Sequence, residues 1–126
     1  DTSAYSHLRA GHAEAQRLLA PVSDVLVPII VLGELEAAFA MGSRSEENLT
    51  GLDEFLARPY VSVAPVTRAT ARHYGRIVAR LRRSGTPIPT NDIWIAATAI
   101  EQGAGLLTFD TDFGRVPGLQ AIILPA

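Results

Sequence analysis

Apolar residues recur at helical spacing in five stretches of this chain and run nearly unbroken in four short ones. His12 to Leu19 patterns as a helix, with Ala15, Leu18 and Leu19 on one side and Pro21 at its exit. Val25-Leu26-Val27-Pro28 reads as a strand, followed by a helix from Ile30 to Met41 that Gly42 closes. Ser43-Arg44-Ser45-Glu46 has the spacing of a capping box for a helix over Ser45 to Ala57, whose stripe is Leu49, Leu52, Phe55 and Leu56. Val61-Ser62-Val63 alternates as a strand. Thr67 then caps a long helix to about Arg83, in which Ala71, Tyr74, Ile77, Val78 and Leu81 share a face. A loop rich in Pro and Gly leads to an alanine-rich helix that starts around Asn91 and stops at Gly103. Gly105 to Thr108 and Ala121 to Leu124 read as the last two strands, with a turn over Gly114 to Gly118 between them.

Short apolar strands that alternate with helices predict an α/β domain in which helices cover a parallel sheet. The 126 residues suit one domain. Asp1-Thr2-Ser3-Ala4 has the pattern of a turn that follows a strand, so apolar residues forming a first strand are expected upstream of it. The absence of cysteine excludes a disulfide framework and thiolate metal sites, and fits a cytoplasmic protein. No apolar run approaches the length of a membrane span. A net charge of −2 provides no bulk attraction to nucleic acid.

All eleven basic residues are arginine, and that narrows the chemistry. Without lysine, P-loop nucleotide binding, Schiff-base catalysis and the lysine-dependent receiver and phosphatase mechanisms are excluded.

The carboxylates are distributed more pointedly. Asp92 falls in the first turn of the alanine-rich helix, Asp110 and Asp112 lie just past the strand that follows, and Glu34 sits about one turn beyond the first predicted strand. In parallel sheets ligands gather at the carboxyl ends of the strands, and Asp1 belongs to the same edge. Singly, each acid has an ordinary role: a helix N-terminus favours Asp by a few tenths to about one kcal/mol, and Asp side chains stabilise turns. Together they repel, each close pair by about 4 kcal/mol at about 4 Å and an effective dielectric of about 20. Oxygen donors without His or Cys match Mg²⁺ or Mn²⁺.

These residues resemble the PIN-domain ribonucleases, in particular the VapC-type toxins of bacterial toxin–antitoxin pairs. The resemblance rests on Asp1-Thr2-Ser3-Ala4, Gly33-Glu34-Leu35-Glu36, Asn91-Asp92 with Ile95-Ala96-Ala97, and Thr108-Phe109-Asp110-Thr111-Asp112-Phe113. It implies a single PIN domain over residues 1–126, a three-layer fold with a short parallel sheet flanked by helices. It also implies a catalytic set of Asp1, Glu34, Asp92, Asp110 and Asp112. Within that set Asp1 and Asp92 would be the most direct ligands of Mg²⁺ or Mn²⁺, Glu34 and Asp110 would act through water or a second ion, and Ser3 and Thr108 would be supporting hydroxyls. The implied activity is metal-dependent hydrolysis of RNA, tRNA or rRNA. The implied partners are a VapB-like antitoxin that covers the acidic groove and a second copy of the chain.

Arg68, Arg72, Arg76 and Arg80 are spaced by four and form a stripe along the long helix. The stripe, with Arg72, Arg76 and Arg80 at its centre, either contacts RNA phosphates or is a solvated face near Glu46, Glu47, Asp53 and Glu54. His7, His12 and His73 lie outside the acidic motifs and read as surface residues. Trp94 reads as core. A PIN-like domain that binds RNA or a partner without cutting, another Mg²⁺-dependent phosphatase or nuclease, and a receiver-like phosphoacceptor are the alternatives. The first would be marked by lost acids, which this chain retains; the absence of lysine speaks against the phosphatase and the receiver.

Overall fold

A computed structural model describes residues 1–126. Its elements are α1 (Thr2–Arg9), α2 (Ala13–Leu19), β1 (Val25–Pro28), α3 (Ile29–Met41), α4 (Ser45–Leu56), β2 (Val61–Ala64), α5 (Arg68–Ser84), α6 (Thr90–Glu101), β3 (Leu106–Thr108), a 3₁₀ turn (Thr111–Arg115) and β4 (Ala121–Ile123). The α/β class and the parallel strands are as expected.

The strands form two parallel pairs. β1 aligns with β2 so that Val25 faces Val61 and Val27 faces Val63, and β3 aligns with β4 so that Leu106 faces Ala121. The two pairs share no ladder. A common core joins them: Val27 and Val31 from the first half, Leu52 and Phe55 from α4, Ile77 and Leu81 from α5, Ile95 and Ala96 from α6, and Leu106 and Phe113. α6 is the most deeply enclosed helix, with Ile93 and the run Ile95 to Ala99 all buried. Alanines make that possible, because small side chains let neighbouring elements approach the helix closely.

α5 packs against α6, and Tyr74 stacks on Trp94 at 4.0 Å between ring centres. Thr67 and Thr70 form a reciprocal cap at the start of α5, and Gly85 ends it in the left-handed conformation (φ 66°) that glycine adopts without steric cost. Thr70 Oγ1 also donates to Glu101, so the start of α5 lies beside the end of α6. The end of α5 is therefore turned toward the start of α6, where Asp92 resides.

Local details depart from the sequence reading in three places. Asp1-Thr2-Ser3-Ala4, expected as a turn, instead opens α1, because the Asp1 carboxylate caps that helix by accepting from Ala4 N at 3.0 Å. The Ser43–Glu46 capping box does not form: Arg44 stands at the cap of α4 and no side chain bonds there. Gly42 closes α3 in an extended conformation (φ −91°) instead of a left-handed one.

Candidate metal centre

Asp92, Asp110 and Asp112 each place a carboxylate oxygen within 4.8 Å of the others. Asp92 comes from the first turn of α6. Asp110 caps the 3₁₀ turn after β3, its Oδ1 accepting from Asp112 N at 2.9 Å, and this Asx turn aims both carboxylates. Behind the turn, Phe113 is wholly buried and fixes it to the core.

Asp1 and Glu34 stand beside this trio. Asp1 Oδ1 accepts from Ser3 Oγ at 2.9 Å and from Ala4 N, while Oδ2 accepts from Thr108 Oγ1 at 2.8 Å. The two hydroxyls also accept, Ser3 Oγ from Phe109 N at 3.0 Å and Thr108 Oγ1 from Asp110 N at 2.9 Å. One polar network thus ties the start of α1 to the segment that carries Asp110. Thr108 is fully buried within it, and each donor has an acceptor, as burial requires. Glu34 reaches the site from α3, accepting from Thr2 Oγ1 at 2.6 Å and from Asn91 Nδ2 at 3.5 Å.

Several further residues take part in the site. Thr2 and Asn91 orient Glu34, and Arg115 pairs with Asp112 at 3.3 Å. His7, read as a surface residue, stacks on Phe109 at 3.8 Å and bonds the Ser3 carbonyl through Nδ1; His12 packs edge-on against the same ring. The adjacency of Asn91 to Asp92 and the short spacings of Arg115 from Asp112 and of His7 from Ser3 are local; the contacts of Thr2 with Glu34 and of both histidines with Phe109 join residues distant along the chain.

Burial and crowding of like charge both act on Asp92. Burial, and then the fields of Asp110, Glu34 and Asp112, push the Asp92 carboxyl from 3.8 up to about 6. Between these values the folded chain holds a proton that the unfolded chain has released. This contribution to stability is therefore favourable at low pH, falls as the pH rises through that window, and is fully adverse above about 6. A divalent cation bound among these carboxylates would remove the penalty by replacing the proton. The donor set is all hard oxygen, as Mg²⁺ or Mn²⁺ requires. The rise in melting temperature on adding Mg²⁺ should accordingly be larger near pH 7.5 than near pH 5. Thermal melts at both pH values test this, and an equal rise would contradict competition between proton and cation.

The PIN-domain family model matches residues 1–119. This chain belongs to the PIN-domain family. Among the relatives of this PIN domain, Ribonuclease VapC2 of Rickettsia felis is 32% identical over 103 residues, which cover 81% of this chain and 75% of that protein. The tRNA(fMet)-specific endonuclease VapC of Shigella flexneri is 34% identical over 92 residues, 72% of this chain and 68% of the relative. Among solved structures, the VapBC2 complex of Rickettsia felis bound to a promoter DNA fragment superposes with a TM-score of 0.85 at 27% identity, covering 98% of this chain and 95% of the other. No helix of this PIN domain is long and apolar enough to cross a membrane.

Proposed function

We propose that this PIN domain is an Mg²⁺- or Mn²⁺-dependent endoribonuclease, the toxin of a VapBC-type pair, and that it cleaves tRNA or rRNA. The observation that carries this reading is the convergence of Asp92, Asp110 and Asp112, flanked by Asp1 and Glu34. The relatives named as VapC ribonucleases support it, and the tRNA named for the Shigella relative favours the substrate class.

When bound, the divalent ion supplies charge stabilisation at the phosphodiester and makes water easier to deprotonate. Asp92 and Asp110 would hold it, with Asp112 beside them. The hydroxyls of Ser3 and Thr108 orient Asp1, and Thr2 and Asn91 orient Glu34. These two acids would serve as further acceptors for water or as holders of a second ion. A VapB-like antitoxin and a second copy of the chain are the proposed protein partners; the VapBC complexes among the structural neighbours support the first.

The test is incubation of the purified protein with a mixture of tRNA and rRNA fragments in Mg²⁺ or in EDTA. Discrete cuts that require the ion are expected. Intact RNA in every condition, from protein free of any antitoxin, would move the assignment to a PIN domain that binds without cutting.

Arg72, Arg76 and Arg80 are exposed, and no acid of the chain pairs with them. The acids near α4 therefore do not neutralise the stripe. It runs along α5 toward the end that faces Asp92, a position suited to the RNA backbone. Each phosphate neutralised on single-stranded RNA contributes about 0.7 to the slope of log affinity against log salt. Replacing all three arginines by alanine should lower that slope by roughly 2 and weaken binding at low salt. Filter binding across a salt series is the measurement; an unchanged slope would assign the stripe to solvent.

A further inference from the structure

Phe109 is an aromatic residue with no place in the core. Of the four phenylalanines, Phe55 and Phe113 are buried and Phe39 packs against the buried cluster, while Phe109 does neither and stays partly exposed. Its ring meets two histidines instead. His7 stacks on it nearly parallel, with 14° between the planes and 3.8 Å between ring centres, and His12 meets it edge-on at 4.9 Å.

The three centres define which surfaces are covered. His7 and His12 lie 5.7 Å apart, so the triangle is close to a right angle at Phe109, and His12 sits beside the stack and not on top of it. Phe109 and His7 therefore cover one face of each other, and no aromatic ring lies on the outer face of either. Backbone holds both histidines at Nδ1: His7 donates to Ser3 O at 2.9 Å, and His12 accepts from Ala15 N at 3.3 Å. The stack is thus in place before any ligand arrives, which lowers the ordering cost of binding.

Its position ties it to the acids. Phe109 lies between Thr108, which donates to Asp1, and Asp110. Its own N–H donates to Ser3 Oγ, the hydroxyl that donates to Asp1. His7 is about one helical turn, roughly 5.4 Å, beyond Ser3 on α1. An RNA strand with one phosphate at the acids brings its neighbouring bases within reach of these rings. Aromatic side chains next to a phosphate-binding surface are a general means of holding single-stranded nucleic acid, because every base has a π-face.

We propose that the His7–Phe109 stack is a platform on which one nucleobase of bound RNA packs, beside the phosphate at the acidic site. Phe109 supplies the flat apolar face, His7 backs it and His12 fixes its edge. Stacking tolerates any base, so the platform adds affinity and places the strand without choosing the sequence. This inference rests on the RNA-binding part of the proposed function and not on cleavage.

The test measures binding of two probes of equal charge, a ten-residue oligoadenylate and an abasic ribose-phosphate decamer, to the Asp92→Asn variant, chosen to keep the RNA whole. The same background carries Phe109→Leu, which retains apolar bulk without a π-face, or Phe109→Trp, which restores one. The background protein should prefer oligoadenylate by at least about fivefold, Phe109→Leu should lose most of that preference, and Phe109→Trp should keep it. Affinity for the abasic decamer should be the same in all three, because their charges are the same. An equal preference in all three, a loss by Phe109→Leu on both probes alike, or no binding of either probe would overturn the platform. The first of these outcomes is also what a platform for a protein partner would give. Cleavage of tRNA and rRNA fragments by the protein with Asp92 intact separates the two readings. Cutting with an unchanged preference would sink the platform alone, and intact RNA with the preference lost in Phe109→Leu would sink the nuclease alone.

Discussion

Replacing Asp92 by asparagine is expected to lower RNA cleavage by ~10³-fold while raising the melting temperature of the cation-free protein at neutral pH. The two effects have one cause. Asp92 carries charge into a partly buried place already occupied by Asp110, Asp112 and the field of Glu34, and its carboxyl is held up at about 6. Asparagine preserves shape and removes that repulsion, so folding improves. It also removes the anionic donor that α6 contributes, and several kcal/mol of charge stabilisation at about 1.4 kcal/mol per tenfold amount to a loss of that order. Single-turnover cleavage and thermal melts of the same preparation read both effects. A variant that loses activity and stability together would point to misfolding, and one that cuts normally would place the chemistry elsewhere.

Phe113→Ala should cost about 3–5 kcal/mol, the range for removing a buried aromatic side chain, and lower the melting temperature by roughly 10–20 °C. Phe113 is fully buried at the centre of the turn whose backbone presents Asp110 and Asp112. Activity measured well below the melting point should therefore also fall, through looser placement of two of the three converging carboxylates. Phe113→Leu retains most of the volume and should recover most of both losses. If the alanine variant melts within a few degrees of the parent, the turn is held by its Asx geometry and not by its anchor.

The two predictions depend on different kinds of information. That Asp92 opens a helix and that Asp110 and Asp112 follow a strand could be read directly, because caps, helical periodicity and short apolar runs are local signals. Phe113 is different. In sequence it is one apolar residue in a turn, and nothing nearby marks it as the anchor of the site.

Local patterning alone determined the α/β class, the helices from α2 to α6 within a residue or two, and the acids that belong to one edge. These depend on residues a few positions apart, where backbone preference and burial of one face agree. The family resemblance added the roles of Ser3 and Thr108, and the structure places both hydroxyls on Asp1. Only tertiary structure decided the rest. α1 went unread because its signal is a single capping carboxylate, Asp1, followed by a short segment with few apolar residues. A short parallel sheet was expected, and how its strands group, as two pairs, was decided by edges that meet across long sequence separations. The same applies to Asp112, which meets Asp92 twenty positions away, and to His7, whose ring finds Phe109 across more than a hundred. Contacts of that kind depend on how whole elements pack, and no periodicity within one element encodes them.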